Sequence, residues 1–121
     1  MKKQRDIEAN ISKERSHKWP AVERKFKKLN PICEVCKSNQ KLNVHHIKPF
    51  HLFPELELEP TNLMTLCMSE RECHLKIGHG GNFRAYNPDV VENINLIKSD
   101  INLFESVYQS IKLKILTENR K

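Results

Sequence analysis

Cys33-Glu34-Val35-Cys36, Val44-His45-His46-Ile47, Thr61-Asn62-Leu63-Met64-Thr65-Leu66-Cys67 and Cys73-His74 follow one another within the middle of the chain. Two kinds of chemistry are interleaved in this stretch. One is a set of four thiols with metal-ligand spacing. Thiolates are soft donors that take zinc tetrahedrally, and a Cys-x-x-Cys turn lets two of them reach one ion. Cys67 and Cys73 flank a second strand and the start of a short helix. Closing the tetrahedron would clamp the turn before the first strand onto that helix. A redox-active pair would need a βαβ setting that this sequence lacks. The bland alternative is four small buried hydrophobes.

The other chemistry is histidine. Imidazole titrates near neutral pH and can serve as a general base or a metal ligand. Leu42 to Ile47 reads as a strand, with Leu42 and Val44 alternating against polar neighbours. Adjacent strand residues point to opposite faces, so His45 and His46 cannot share one task while the strand stays regular. Leu63 to Leu66 is a second strand, and Glu70 to Ile77 a short helix carrying Cys73 and His74. His79 lies five residues beyond His74. A helical partner ligand belongs three or four residues on, so His79 is the weaker candidate for metal or phosphate contact. Gly78-His79-Gly80-Gly81-Asn82 breaks the helix, and its backbone N–H groups are a weak phosphate-cradle signal. Asn62 by itself could cap a turn. His17 and His51 have no such context and read as structural or surface residues.

In this order, the cysteines, the histidine pair, the asparagine and the later histidine resemble the HNH endonucleases. These are the ββα-metal nucleases, here in the subgroup with zinc-binding cysteines. The resemblance covers about one third of the chain. It implies a structural zinc on Cys33, Cys36, Cys67 and Cys73. It implies a catalytic divalent ion, such as Mg²⁺, Mn²⁺ or Ni²⁺, on His45 and His74. His46 would be the general base that activates water, and Asn62 would orient the motif or assist at the metal. The implied reaction is in-line hydrolysis of a phosphodiester, with the ion stabilising the 3′-oxygen leaving group. One departure matters. The family usually has a second Cys-x-x-Cys, whereas Met68 to Glu72 separate Cys67 from Cys73 here. A nearby histidine replacing Cys73 therefore stays open.

Working outward, residues 1–16 are a polar arm and 17–30 a basic helix. Residues 31–82 are the HNH and zinc core, and 87–118 a C-terminal helix, all in one domain. In the basic helix Trp19, Val22, Phe26 and Leu29 recur at helical spacing behind Pro20. Arg24, Lys25, Lys27 and Lys28, with Lys48, could neutralise phosphates without reading sequence. Asn87-Pro88-Asp89 reads as a helix start. Val90, Ile94, Ile97, Ile101, Phe104, Tyr108, Ile111 and Ile115 then follow the a/d spacing of a coiled-coil seam. Continuous from Val90 to Ile115, such a helix would be about 39 Å long, against a radius of gyration of ~14 Å for a domain of this size. Its stripe must meet either the N-terminal segment, through Ile7, Ile11, Trp19, Val22 and Phe26, or a second copy in a homodimer. Leu96, Leu103 and Leu113 widen the apolar face and favour packing inside the domain.

Composition sets the outer limits. With 121 residues, 38% of them hydrophobic, and a mean hydropathy of −0.64, the chain builds only a small core and gains from a staple. The net charge is +6 and unevenly spread: residues 1–48 carry 13 Lys/Arg against 5 Asp/Glu, and residues 49–121 carry 8 against 10. A basic half suits a polyanion such as DNA, or is merely a solvated surface. No apolar run approaches the ~20 residues of a membrane span, and MKKQRDIEAN lacks the apolar core of a signal peptide. The expected setting is cytoplasmic, where reduced thiols bind metal rather than form disulfides. The fold class expected is α+β: a ββα-metal core with a zinc knuckle between a basic helix and a long C-terminal helix. Its expected function is a metal-dependent endonuclease acting on DNA. The rivals are a non-catalytic zinc-dependent nucleic-acid-binding module and a helix-mediated interaction protein.

Overall fold

The structure is a computed structural model and describes residues 15–119. Most of the arm assigned to residues 1–16, including Ile7 and Ile11, lies outside the described residues.

Helix α1, Trp19–Leu29, opens with Pro20 in its first turn and closes with Lys27 and Lys28. Missing N–H and basic end both suit those positions. Strands β1, Leu42–His46, and β2, Leu63–Cys67, pair antiparallel with Leu42 opposite Cys67 and His46 opposite Leu63. A two-stranded sheet is marginal alone, and this one is covered on both faces. On one face His46 stacks on Trp19, and Thr65 Oγ1 donates to the Asn30 carbonyl at 2.8 Å, so α1 and its exit lie there. On the other face Leu66 and His45 approach Gly78 of α2, a short π-helical segment over His74–Gly78. This double cover explains why β2 is buried at every position rather than alternately. The order β1, β2, α2 is the ββα core that the sequence leads one to expect, with the cysteine set at one end.

Beyond α2, Asn87 joins the core to the C-terminal helices. Its amide donates to the Ile77 carbonyl at 2.8 Å and its oxygen accepts from the Asp89 N–H at 3.0 Å. This is an Asx-type turn, and α3 starts later than the Asn-Pro-Asp motif suggests, at Val90.

The single long C-terminal helix is not formed. Helix α3 covers Val90–Ser99 and α4 covers Phe104–Asn119, with a 3₁₀ turn over Ile101–Leu103 between them. Asp100 breaks the run. Its backbone is extended, at φ −159° and ψ 109°, and its side chain accepts from the Asn102 N–H at 3.0 Å. Ser and Asp favour such local bonds over helix interiors, and the apolar spacing carries no trace of that competition. The break lets both helices fold back on the core. Val90, Ile94, Ile97, Phe104, Val107 and Ile111 are buried there, together with Leu66 and Ile77. Most of the stripe that was to meet the N-terminal segment or a second copy is therefore covered by the chain's own ββα core, although Ile101 stays exposed, and a homodimer is left without support. Of the off-seam leucines, Leu103 packs against the core while Leu96 and Leu113 are exposed. Gly80 terminates α2 with φ +63°, and a Cβ there would collide with Ile111 and Ile115 of α4.

If the stripe is core, Ile97→Ala should cost ~2–5 kcal/mol. Leu113→Ala, on the exposed side, should stay within ~0.5 kcal/mol of the parent. Urea denaturation measures both, and equal losses would contradict this packing.

Candidate active site

Two clusters of ligating side chains stand out among the described residues. The first is Cys33, Cys36, Cys67 and Cys73, whose sulfurs lie within 4.8 Å of one another. Cys36 and Cys67 approach to 3.5 Å, and no cysteine is in a disulfide. Sulfurs at ~2.3 Å from a tetrahedral zinc would sit ~3.8 Å apart, so the set fits such an ion with little adjustment. The knuckle is held by Lys37 in the left-handed region at φ 68° and by the Val35 N–H donating to Cys33 Sγ at 3.4 Å. Cys73 is inside the cluster despite the long spacer, so no histidine is needed in its place. A hydrogen bond from Cys73 pulls Cys33 down to about 5 while Cys73 itself is pushed up. Burial pushes Cys36 up to about 11.

The second cluster is His45, His74 and His79, again with ring nitrogens within 4.8 Å of one another. His45 comes from β1, and the other two from α2 and its end. The three rings pack pairwise at centroid distances of 4.8–5.0 Å. α-Helical spacing would put His79 off the face of His74, but the segment is π-helical and brings the two together. In a π-helical turn the hydrogen bond runs from i to i+5, and residues five apart come onto one face. Gly78 completes the arrangement, since a Cβ there would press on His74 Cδ2 at 3.2 Å and His45 Cε1 at 3.3 Å.

Hydrogen bonds fix which nitrogen each ring presents. His74 Nδ1 lies 3.0 Å from Asn43 Oδ1, and His79 Nδ1 lies 2.9 Å from the Ala85 carbonyl. Both oxygens accept, so both Nδ1 atoms carry the proton and both Nε2 lone pairs are free. This is the support that metal-ligating histidines use. Burial lowers all three: His45 well below its ordinary value, His74 to about 4, and His79 less strongly. All three are thus neutral at pH 7, the form that binds metal.

His46 lies on the opposite sheet face yet borders the same cavity, a space of about 340 Å³ at the end of β1. Its Nε2 donates to the Glu57 carbonyl at 2.9 Å, which leaves Nδ1 with the free lone pair. Trp19 covers the ring at 4.5 Å. Asn62 is buried and does not line the cavity. Its oxygen accepts from the Lys48 N–H at 2.8 Å, and its amide donates to the carbonyls of Lys48 and Leu56 at 3.0 and 3.3 Å. It pins the loop that brings the Glu57 carbonyl to His46.

Arg24, Lys25, Lys28 and Lys48 are exposed and Lys27 is half-buried, and none of them borders the cavity. Arg15 does, a residue that the sequence reading passed over. It pairs with the buried carboxylate of Glu57 at 3.5 Å and lies over the rings of Trp19 and Phe50. Nothing local in sequence singles out Arg15 or Glu57, because their pairing spans the whole knuckle and β1.

The HNH endonuclease family model matches residues 33–80. This segment, about two fifths of the chain, is similar to the HNH endonucleases. The match runs from the first thiol of the knuckle to the glycine after His79, so it takes in both clusters, His46 and Asn62. Neither a curated protein nor a solved structure matches the chain significantly. The match supports a nuclease-type function in general terms, and the two clusters could each hold a metal ion.

The buried histidines give a signed pH dependence. In the unfolded chain they titrate near 6.5, but in the folded protein they stay neutral to lower pH, His74 to about 4. Below pH 6.5 the unfolded state takes up protons that the folded state refuses, so stability is present above 6.5 and falls as pH drops toward 4. The melting temperature should decline across that window, and His74→Leu should decline less steeply. Equal slopes in parent and variant would contradict the burial argument.

Proposed function

We propose that the protein is a metal-dependent endonuclease that hydrolyses phosphodiester bonds in DNA, with His46 as general base. One observation carries this reading. His46, held by the Glu57 carbonyl so that Nδ1 is its basic atom, borders the same cavity as His45, His74 and His79. Hydrolysis needs a base within reach of a water, and a positive centre for the phosphate and the leaving oxygen. The two needs are met from opposite faces of β1.

His46 Nδ1 accepts the proton of the attacking water as the new P–O bond forms and the bond to the 3′-oxygen breaks. The Glu57 carbonyl and Trp19 hold the ring in one tautomer and one orientation during that transfer. Asn62 acts as a positioning residue for the loop carrying that carbonyl. His45, His74 and His79 would hold a divalent ion of the Mg²⁺, Mn²⁺ or Ni²⁺ type, and the ion supplies positive charge to the phosphate and leaving oxygen. A third ligand, His79, is thereby added to the pair drawn from sequence. Cys33, Cys36, Cys67 and Cys73 would hold a structural zinc, as the all-sulfur donor set favours. The basic side chains of α1 supply salt-dependent, sequence-independent affinity for the polyanion.

A plasmid-cleavage assay with added Mg²⁺, Mn²⁺ or Ni²⁺ tests the proposal. The parent should cut, and His46→Ala should be slower by a factor of ~10² or more with zinc content unchanged. Parent-like cleavage by His46→Ala would remove His46 as the base. No cleavage with any of these ions would reject the nuclease reading.

A further inference from the structure

The cavity has a wall that neither metal binding nor proton transfer requires. Phe83 stands at its rim with half of its surface exposed, 50%. Its ring packs at 5.2 Å against both His74 and His79. Its place on the wall of a polar cavity lets the ring offer a flat apolar face to a bound partner. Elsewhere on the rim lies Arg15, whose side chain is 45% exposed although it pairs with Glu57. Among the described residues lining the cavity it is the one permanent cation. Phe50 steadies it from below at 4.8 Å. The cavity, at about 340 Å³, lies at the lower end of the ~300–1,000 Å³ that small-molecule sites occupy.

Resting on the nuclease reading, we infer that this cavity takes one unstacked nucleotide beside the scissile phosphate, its base against Phe83 and a phosphate against Arg15. The preferred substrate is then single-stranded or locally opened DNA. In an intact duplex both faces of each base are occupied by its neighbours, and only the edges are offered in the grooves. A ring such as Phe83 gains a stacking partner only where a base has left the stack. Stacking of this kind is tolerant of sequence, in keeping with a chain that has no visible base-reading element.

Binding can be read apart from cleavage. Zinc-loaded protein without added catalytic ion is titrated into a fluorescently labelled single strand and into its duplex, and anisotropy is followed at several salt concentrations. The parent should prefer the single strand. Phe83→Ala should weaken single-strand binding by ~5- to 150-fold, the equivalent of ~1–3 kcal/mol per stacked base, and change duplex binding little. Phe83→Tyr should bind as the parent does, and Phe83→Leu should fail as Phe83→Ala does, which separates stacking from simple cover of the histidines. Arg15→Ala should flatten the salt dependence by about one phosphate contact, whereas Phe83→Ala should leave it unchanged. The inference is overturned if Phe83→Ala binds single strands like the parent. It is also overturned if single strand and duplex lose affinity equally, or if Phe83→Leu rescues binding. Failure of all variants and the parent to cut would reject the nuclease reading and leave this binding comparison intact.

Discussion

The thiol clamp between the turn at Cys33 and Cys36 and the pair Cys67 and Cys73 is the constraint on which the site depends. The chain is small and its core is thin, so local propensity cannot hold two five-residue strands and a one-turn helix together. Binding at a thiolate site is folding free energy, on the order of 10 kcal/mol for small zinc domains. Here it would act at the entry of the site's helix. Cys67 ends β2, and Cys73 immediately precedes His74, so fixing the sulfurs fixes the entry of α2 onto the sheet. The C-terminal helices then close over α2 from outside, with Ile97, Phe104, Ile111 and Ile77 in one buried cluster.

From that anchored entry the functional groups divide between two faces of one strand. His45 turns toward α2 and joins two rings whose Nδ1 protons are tied down by Asn43 and Ala85. His46 turns toward α1 and is tied by Nε2 to a loop carbonyl. Strand alternation separates the adjacent histidines, and the end of the strand lets both border one cavity. On the proposed function, the same segment would present ligating nitrogens and a basic nitrogen without letting them compete. Glu57 serves this arrangement twice, through its carbonyl to His46 and through its carboxylate to Arg15 and the Ser16 N–H.

Much of this was legible in the sequence, and the failures share a cause. The strands, the four thiols and the histidine pair are local patterns, carried by alternation and spacing, and both strands stand within a residue of where those patterns put them. The placing of His79 beside His74 was not legible because a π-helical turn has the same residues as an α-helical one and differs only in hydrogen bonding. The C-terminal run was read as one helix because apolar periodicity survives a break. The signal against it was the polar Ser99-Asp100 pair, whose side chains bond to nearby backbone. Arg15 and Glu57 carry no local signal because their partners lie in other segments and meet only once the chain has folded, whereas Phe83 follows His79 by four residues without any spacing pattern to mark it.

On the proposed function, one domain would hold two ions of different kinds, an all-sulfur one that builds the site and an all-imidazole one that works in it. X-ray absorption on protein loaded with zinc and then with Ni²⁺ addresses it most directly. The account predicts a zinc edge with a shell of four sulfurs and no nitrogen, and a nickel edge with imidazole scattering and no sulfur, the latter lost in His79→Ala. A mixed sulfur and nitrogen shell around zinc, or nickel bound equally well without His79, would contradict it.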